Sequence, residues 1–295
     1  MDLFKKIMPP EPEQKQRVLV LGAKGMAGHV VAEHLTECGY MVTTLARSSG
    51  CNFRLDVEDW AGLGTLMYAI KDSYDVIINC IGMLVESCEK NQDRAICVNS
   101  WFPKYLESRC TNYQTKIIHL STDCVFSGST GMYSEDSNPD GQGVYSQSKS
   151  LGEINNNKDL TFRMSIIGPE LKKNGTGLFH WFMNQKGKIS GFENAIWNGI
   201  TTIELAKAID SAIQQDLTGL YHLVPDEIIS KYSLLNMIKL EFDRQIDIDL
   251  SYLPNKIDKT LLNSRSDFDF QVSGYQDMIA EMKQWIENRK TIYDY

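Results

Sequence analysis

Short apolar runs alternate with stretches of helical periodicity along the first half of the chain. The apolar runs predict buried strands at 17–21, 40–45, 75–80, 116–120 and 160–164. Apolar residues recur at helical spacing after the first run, and a long amphipathic segment spans 89–110. Strands that alternate with helices in this way form a parallel sheet with helices on both faces. The pattern therefore predicts an α/β fold built on a doubly wound parallel sheet.

The pattern is less regular beyond residue 168. A glycine-rich bend at 174–177 precedes helical patterns at 203–214, 228–242 and 275–288. We expect a first domain at 15–168 and a smaller C-terminal substrate-binding lobe at 169–295, some segments of which return to the first domain. In an open sheet of this kind, the ligand lies in the crevice at the carboxyl ends of the strands.

Composition limits the classes of function. The chain has 295 residues and a net charge of −8, which argues against nucleic acid or an anionic membrane surface as the main partner. It contains no apolar run long enough to span a bilayer, and segment 1–17 indicates neither a signal peptide nor an anchor. Seven cysteines without a Cys-x-x-Cys pair favour a reduced, cytoplasmic protein and predict no metal site.

A glycine-rich turn follows the first predicted strand and precedes a helical pattern. Gly22, Gly25 and Gly28 are spaced Gly-x-x-Gly-x-x-Gly. In such a unit the first glycine makes the turn, the second lets a pyrophosphate approach the backbone, and the third allows close packing of the helix. An ordinary glycine-rich turn is the alternative, but the position after the first strand favours a Rossmann-type dinucleotide site. This spacing is found in extended short-chain dehydrogenases.

Two basic residues bear on the choice of cofactor. Arg47 stands just past the second predicted strand, where an NAD-preferring protein usually places an acid for the ribose hydroxyls. Arg47 and Lys24 favour NADPH because each offers a partner for a 2′-phosphate, although a solvated loop arginine is the alternative and NAD stays the second candidate. The further predicted cofactor contacts are Met26, Asp56, Cys80, Ile81, Gly82 and Asn99.

A tyrosine and a lysine carry the candidate chemistry. Tyr145 and Lys149 are four residues apart, which places them one helical turn apart on the same face. A phenol titrates near pH ~10 in water, and we expect the nearby ammonium to lower the pKa of Tyr145 toward the range of efficient acid–base catalysis. Lys149 would also reach the nicotinamide ribose. Ser121 or Thr122, at the end of the preceding strand, can hydrogen-bond a carbonyl oxygen being reduced. A solvated helix face is the alternative for the Tyr–Lys pair.

Segments 120–128, 133–136 and 145–153 together resemble the sugar-nucleotide reductases typified by dTDP-4-dehydrorhamnose reductase. The resemblance covers roughly the first 170 residues well and the rest loosely. It implies that Thr122, Tyr145 and Lys149 act together while NAD(P)H delivers hydride to carbon 4 of a 4-keto-6-deoxyhexose nucleotide. The expected substrate contacts are Met83, Ser121, Asp123, Ile166, Trp197 and Asn198.

The chain departs from that family in its sugar pocket. Ile166 replaces a tryptophan of the family, and Ile200 replaces a proline. We therefore expect a different pocket, and deoxythymidine-linked dehydrorhamnose does not follow as the substrate. The nucleobase and the sugar remain open.

A cysteine points to additional chemistry. Cys124 stands where the reductases have tyrosine and matches a cysteine of GDP-fucose synthase, where it resembles an epimerisation acid or base. Such a residue can exchange a proton at carbon 3 or 5, because the adjacent carbonyl acidifies that C–H. His180 stands at about the position of the second epimerase residue in that family. A small buried filler and an ordinary helix histidine are the alternatives.

Two other classes of function stay open. The same scaffold serves nucleotide-sugar epimerases that recycle a bound NAD, and the regulatory subunit of methionine adenosyltransferase resembles these reductases without being a reductase itself. A single acid after Thr122 disfavours a dehydratase. We expect a nucleotide sugar as the partner and consider a homodimer as the assembly. Consumption of NADPH with a keto sugar separates the classes.

Overall fold

The computed structural model describes residues 15–70 and 72–295, so most of the N-terminal segment considered above lies outside the described residues. Its centre is a seven-stranded sheet in the order β11-β6-β5-β4-β1-β2-β3, and all neighbouring strands are parallel. These strands are Arg17–Leu21 (β1), Met41–Ala46 (β2), Phe53–Arg54 (β3), Val76–Asn79 (β4), Lys116–Leu120 (β5), Leu160–Arg163 (β6) and Gly219–His222 (β11). The order reverses between β1 and β4, where such a fold binds its ligand. The predicted doubly wound sheet is confirmed.

Apolar side chains cover both faces of the sheet. In β1, Val18 and Val20 belong to one buried cluster, whereas Leu19 and Leu21 belong to the cluster on the opposite face. Successive side chains of a strand point to opposite faces, so a strand buried on both sides has a continuous apolar sequence. This explains why the apolar runs alone located the central strands.

Ten α-helices are assigned in the described residues. They are Met26–Glu37 (α1), Trp60–Ile70 (α2), Val85–Lys90 (α3), Gln92–Ala95 (α4), Phe102–Cys110 (α5), Val144–Gly152 (α6), Leu178–Met183 (α7), Thr202–Gln214 (α8), Lys231–Glu241 (α9) and Tyr275–Glu287 (α10). The amphipathic segment 89–110 is not one helix: Asn91 separates α3 from α4, and a π-helical segment, Ile96–Trp101, leads into α5. In the described residues, no helix is long and apolar enough to cross a bilayer.

The second half of the chain forms smaller sheets at the carboxyl edge. Their strands are Ile166–Ile167 (β7), Gly187–Phe192 (β8), Ala195–Trp197 (β9), Ile200–Thr201 (β10), Ile229–Ser230 (β12), Ile246–Ser251 (β13) and Ile257–Asp258 (β14). The helix expected at 228–242 begins only at Lys231, because Ser230 accepts from the Ser233 N–H and caps it after β12. β11 lies in the central sheet and α8 packs along α1. We therefore propose that these two elements belong with the first domain.

Two tyrosines near residue 295 connect the halves. The Tyr293 hydroxyl lies 2.8 Å from Nε2 of His29, whose Nδ1 lies 2.7 Å from the Gly25 carbonyl oxygen. Since a carbonyl can only accept, Nδ1 carries the proton and the phenol donates to Nε2. The Tyr295 hydroxyl accepts from the Glu170 N–H at 3.0 Å. We refer to Tyr293 and Tyr295 as the tyrosine clamp, because they hold the glycine turn against the second half.

Candidate active site

The glycine turn is shaped by close backbone contacts. Gly22 has φ +80°, a left-handed conformation that favours glycine. A Cβ atom at position 28 would lie 2.3 Å from the Gly22 carbonyl oxygen, so a side chain there would displace the turn. Gly25 precedes α1 without any side-chain cap. The first N–H groups of α1 are therefore available to an anion such as a pyrophosphate.

A cleft of about 300 Å³ lies beside this turn. It is lined by Gly22, Lys24, Gly25, Arg47, Asp56, Cys80, Ile81 and Gly82, all of which the sequence predicts as cofactor contacts. Met83, which the sequence assigns to the substrate, lines the same cleft. The size, the carboxyl edge of the sheet and the free helix N-terminus fit a dinucleotide.

Three residues predicted to touch the cofactor have other surroundings. Gly28 packs against the turn, and Met26 lies against the bend at Gly177. Asn99 is buried; its Oδ1 accepts from the Met83 N–H at 2.8 Å, and its Nδ2 donates to Ser148 Oγ at 3.2 Å. Asn99 thus positions the cleft wall against α6.

Four basic residues line the cleft, and one of them, Arg94, is paired with Glu58. An ion pair at 3.7 Å joins Arg47 to Asp56, and the Lys24 ammonium lies about 3.4 Å from where a Cβ of Gly50 would be. Arg94 and Lys172 also line this cleft, and sequence reasoning missed both. Neither belongs to a local motif, because α4 and the segment after β7 reach the cleft only through tertiary packing. The cleft therefore carries basic groups that are suited to a phosphate.

The catalytic candidates meet at the carboxyl end of β5. Thr122 accepts from the Cys124 N–H at 3.1 Å, and its hydroxyl donates to Asp123 Oδ1 at 3.1 Å. The side chains of Thr122 and Tyr145 lie next to each other. Lys149 is 5% exposed and donates to the Leu120 carbonyl oxygen at 2.6 Å. Thr122 and Lys149 are buried and Tyr145 is partly buried, and we refer to the three as the Thr122–Tyr145–Lys149 group.

Gly82 joins this group to the dinucleotide cleft. A Cβ on Gly82 would lie 3.9 Å from the Lys149 ammonium nitrogen and 3.6 Å from Asn99 Oδ1. Since Gly82 also lines the cleft, the lysine lies directly behind the cleft wall. A ribose bound there would come within reach of Lys149.

The expected lowering of the pKa of Tyr145 by Lys149 is wrong in this structure. Burial raises the pKa of the Tyr145 phenol, and the nearby Cys124 and Asp123 raise the pKa further, whereas the neighbouring Thr122 opposes the rise. Burial also lowers the pKa of Lys149 to about 8, although Glu153 opposes it. Because desolvation penalises the charged form of each group, the phenol keeps its proton at neutral pH. A protonated phenol suits proton donation to a carbonyl.

Ser121 faces away from this group. Its hydroxyl donates to Glu153 Oε1 at 2.6 Å, and Glu153 accepts two hydrogen bonds at 2.7 Å from the buried Arg163. The guanidinium also lies 3.3 Å from the His222 ring and over the Phe126 ring. Adjacent residues of a strand point to opposite faces, so Ser121 supports the buried ion pair while Thr122 faces the site.

Asp123 and Cys124 complete the site on the substrate side. Asp123 is 9% exposed, and burial raises the pKa of its carboxyl group. The positive charges of Lys231 and Lys259 oppose that rise. Burial, then the charge of Asp123, raises the pKa of the Cys124 thiol to about 11. Cys124 is therefore a thiol at neutral pH and can donate a proton.

The structure gives His180 and Asn198 other partners. His180 Nδ1 lies 2.7 Å from the Tyr295 hydroxyl, and its Nε2 lies 3.2 Å from the Lys173 carbonyl oxygen, so both ring nitrogens are engaged. Asn198 exchanges two hydrogen bonds with the Leu261 backbone. Both side chains thus have hydrogen-bond partners within the protein, and the epimerisation role of His180 and the substrate contact of Asn198 stay predictions.

Trp197 and Ile166 contribute apolar surface. Trp197 is 3% exposed, and its ring packs against Tyr275. Ile166 is partly buried and packs on the main apolar cluster. The structure shows both residues as packing surfaces, and their contacts with a substrate stay predictions.

A comparison with known families matches residues 16–251 to the RmlD substrate binding domain model. The chain belongs to this family.

Two curated relatives of this RmlD-family chain carry reductase names. The Haloferax volcanii protein named "Probable low-salt glycan biosynthesis reductase Agl14" is 36% identical over 45% of this chain and 46% of that protein. The dTDP-4-dehydrorhamnose reductase of Streptomyces griseus is 32% identical over 48% of this chain and 45% of that protein. The chain thus spans about half the length of the curated relatives it matches.

A solved RmlD-family structure shows the same fold over most of the chain. The dTDP-4-dehydrorhamnose reductase of Bacillus anthracis, solved in complex with NADP, superimposes with a TM-score of 0.79 at 20% identity. The match covers 92% of this chain and 100% of that chain. It supports the Rossmann-type sheet with a smaller C-terminal lobe.

Proposed function

We propose that this protein reduces the 4-keto group of a 4-keto-6-deoxy nucleotide sugar with NADPH. The observation that carries the proposal is the Thr122–Tyr145–Lys149 group, whose lysine lies directly behind the wall of the proposed dinucleotide cleft. The protonated phenol of Tyr145 is suited to reduction, because the alkoxide that forms needs a proton. The reductase names of two curated relatives support the same reaction.

The residues have distinct roles in this proposal. Bound NADPH supplies the hydride for the carbonyl carbon. The carbonyl π electrons move to oxygen, which takes the proton of Tyr145 and leaves a phenolate. Thr122 holds the phenol and the carbonyl oxygen in line, and the Lys149 ammonium stabilises the phenolate by its positive charge. The carbonyl thus gains one hydride and one proton and becomes an alcohol, and the cofactor is left oxidised.

The proposed preference for NADPH rests on the basic residues of the cleft. Lys24 and Arg47 both line it, with Arg94 and Lys172 nearby. A 2′-phosphate carries charge that these groups would bind, whereas NADH has only a hydroxyl there. The complex of the Bacillus anthracis neighbour with NADP supports this choice over NAD.

Replacing Arg47 by Gln is expected to weaken NADPH binding about tenfold, since a charged hydrogen bond contributes roughly 1.5–3 kcal/mol. NADH binding should change less than twofold. Fluorescence titration of the reduced nicotinamide measures both dissociation constants. Arg109→Gln is the matched control, because Arg109 lies over the Tyr105 ring on α5, outside the residues lining the cleft. Equal weakening of NADPH and NADH would contradict the assignment of Arg47 to the phosphate.

We further propose that Cys124 exchanges a proton at carbon 3 or 5 of the same substrate. Its thiol lies beside Thr122 and Asp123 and is protonated at neutral pH. With both nitrogens of His180 engaged, Cys124 is the better-placed of the two predicted exchange residues. Epimerisation is therefore proposed with water taking the C–H proton to leave an enolate, the Cys124 thiol donating its proton to the enolate carbon, and solvent returning a proton to the thiolate.

Cys124→Ser is expected to slow exchange about 100-fold, because a hydroxyl is a much weaker acid than a thiol. Reduction should continue at a similar rate. Mass spectrometry of the product formed in deuterium oxide measures incorporation at carbons 3 and 5. Cys97→Ser is the control, since Cys97 lies in the π-helical segment. Unchanged deuterium incorporation in Cys124→Ser would remove the proposal.

The primary test uses 4-keto-6-deoxy sugars made from UDP-GlcNAc, UDP-glucose, dTDP-glucose and GDP-mannose. Loss of NADPH absorbance with one of them would support the reductase and identify its nucleotide. Interconversion of a nucleotide sugar without net loss of NADPH would favour an epimerase with bound NAD. NADPH binding with neither reaction would favour the regulatory class.

A further inference from the structure

Three side chains of the kinds that bind metal ions meet where the first helix ends. His34 lies in the last turn of α1, Cys38 caps that helix, and Asp210 reaches them from α8, which packs along α1. Nε2 of His34 lies 3.5 Å from Sγ of Cys38. With one carboxylate oxygen of Asp210, the three ligand atoms all lie within 4.8 Å of one another. The three residues are not among those that line the dinucleotide cleft.

The separation of the imidazole and the thiol fits a tetrahedral zinc site. Zinc binds a histidine nitrogen at about 2.0–2.1 Å and a cysteine sulfur at about 2.3 Å, and a tetrahedral angle places the two ligand atoms about 3.5 Å apart. This is the distance between His34 and Cys38. A thiol–imidazole hydrogen bond has the same length, so the third ligand distinguishes a metal site from a simple pair. Nitrogen, sulfur and carboxylate oxygen are the ligands that zinc takes in proteins.

Neighbouring side chains orient the carboxylate of Asp210. Its Oδ1 accepts a hydrogen bond from the Tyr40 phenol at 2.7 Å and another from Nε2 of Gln214 at 2.9 Å. Both bonds go to the same oxygen, and a carboxylate has a second oxygen whose lone pairs can bind a metal. Hydrogen-bond partners of this kind fix the orientation of ligands around protein-bound metals. The third ligand is therefore held in place by groups outside the ligand set.

The surroundings also favour a cation. The C-terminal end of a helix carries partial negative charge, and both His34 and Cys38 lie at that end of α1. Burial lowers the pKa of His34, so its imidazole is neutral and offers a lone pair. Cys38 is exposed, which gives an ion access from solvent.

We propose that His34, Cys38 and Asp210 bind one Zn²⁺ ion, with water as the fourth ligand. The Cys38 thiol gives its proton to solvent as the zinc–sulfur bond forms, and no oxidation state changes. The ion fastens the C-terminal end of α1 to α8. This site is independent of the proposed reaction, and it departs from the sequence prediction of no metal site. Tertiary packing brings Asp210 to the other two ligands, so no Cys-x-x-Cys motif marks the site.

Cobalt(II) is the probe for this site, because it occupies tetrahedral zinc sites and its bond to a thiolate gives a charge-transfer absorption. The reduced full-length chain is expected to show this absorption, saturating at one Co²⁺ per chain, and Zn²⁺ should displace it. Cys38→Ser should abolish the absorption and weaken Zn²⁺ binding about 100-fold. Tyr40→Phe should keep the absorption and weaken binding about tenfold, since it removes only a partner of Asp210. Cys97→Ser is the matched control and should behave like wild type.

Thermal unfolding gives a second measurement. Zn²⁺ at about 100 times its Kd should raise the Tm of the wild type by about 5 °C, because it binds the folded chain only. Cys38→Ser should lose this shift while its Tm without metal stays near that of the wild type, since the side chain is exposed.

Three results would overturn the proposal. One is the absence of a thiolate absorption with Co²⁺ in the wild type, and another is an absorption that persists in Cys38→Ser, which would assign the ion to a different cysteine. The third is equal Zn²⁺ affinity of the wild type and Asp210→Asn. In that case His34 and Cys38 would form only a hydrogen-bonded pair, and Asp210 would not be a ligand. Each readout is independent of NADPH and keto sugars, so failure of the proposed reductase would leave this test intact.

Discussion

Tyr145→Phe is expected to lower kcat for carbonyl reduction about 10³- to 10⁴-fold, because general acid catalysis contributes up to roughly that factor. Phenylalanine fills the same buried volume, and Thr122 retains its hydrogen bonds with Asp123 and the Cys124 N–H. NADPH affinity and thermal stability should therefore stay near those of the wild type. Absorbance of NADPH under saturating keto sugar measures kcat, and fluorescence titration measures cofactor binding.

The control for this variant is Tyr252→Phe. Tyr252 is 66% exposed and removal of its hydroxyl should leave kcat unchanged. If Tyr145→Phe keeps more than a tenth of wild-type kcat, the proton comes from water or from another residue. Such a result would mean that the Thr122–Tyr145–Lys149 group has the geometry of a catalytic site although Tyr145 does not supply the proton.

Glu153→Ala is expected to destabilise the fold by about 3–5 kcal/mol, because it leaves a buried guanidinium without its counter-charge. Arg163 is 3% exposed and donates two hydrogen bonds to Glu153, and Ser121 donates a third. His222 lies on the other side of the guanidinium and cannot replace a carboxylate. For a chain of this size the expected fall in Tm is roughly 10 °C. Urea denaturation and differential scanning calorimetry measure the loss.

Glu86→Ala is the control for Glu153→Ala, since it breaks an exposed ion pair with Lys90. Exposed pairs contribute about 0–1 kcal/mol, so its stability should be close to wild type. The double variant Glu153→Ala/Arg163→Met should recover part of the loss, because it removes the uncompensated charge. Equal stability of Glu153→Ala and Glu86→Ala would mean that Arg163 finds another acceptor.

The sheet was readable from sequence because burial on both faces leaves a continuous apolar run. β5 begins and ends where its run does, at Lys116 and Leu120, and β1 likewise covers Arg17–Leu21. The helix after the fourth strand was less readable, since Asn91 and the π-helical segment interrupt an amphipathic pattern that is otherwise continuous. Amphipathic spacing locates a buried face but does not record where the hydrogen-bond pattern changes.

Site residues that belong to a local sequence motif could be predicted from the sequence. Site features that depend on tertiary packing could not. Four-residue spacing placed Tyr145 and Lys149 on one face of α6, but it could not give the burial that raises the pKa of Tyr145. The distance along the chain that singled out His180 did not encode the direction of its ring. The position of Lys231 over the Trp197 ring could not be predicted, because it depends on a pairing between β9 and β12. Sequence patterns report periodicity, whereas a pocket is assembled from distant segments.

The tyrosine clamp has a consequence for how the protein is made. His29 and Tyr293 are 264 residues apart, so their hydrogen bond closes a loop with an entropic cost of about 5 kcal/mol. At a translation rate of about 5–20 residues per second, the ribosome needs roughly 13–50 s to bridge that interval. During this time the first helix of the nascent chain lacks the contact that braces its N-terminal turn. The contact that braces the glycine turn is therefore acquired only after Tyr293 has emerged from the ribosome.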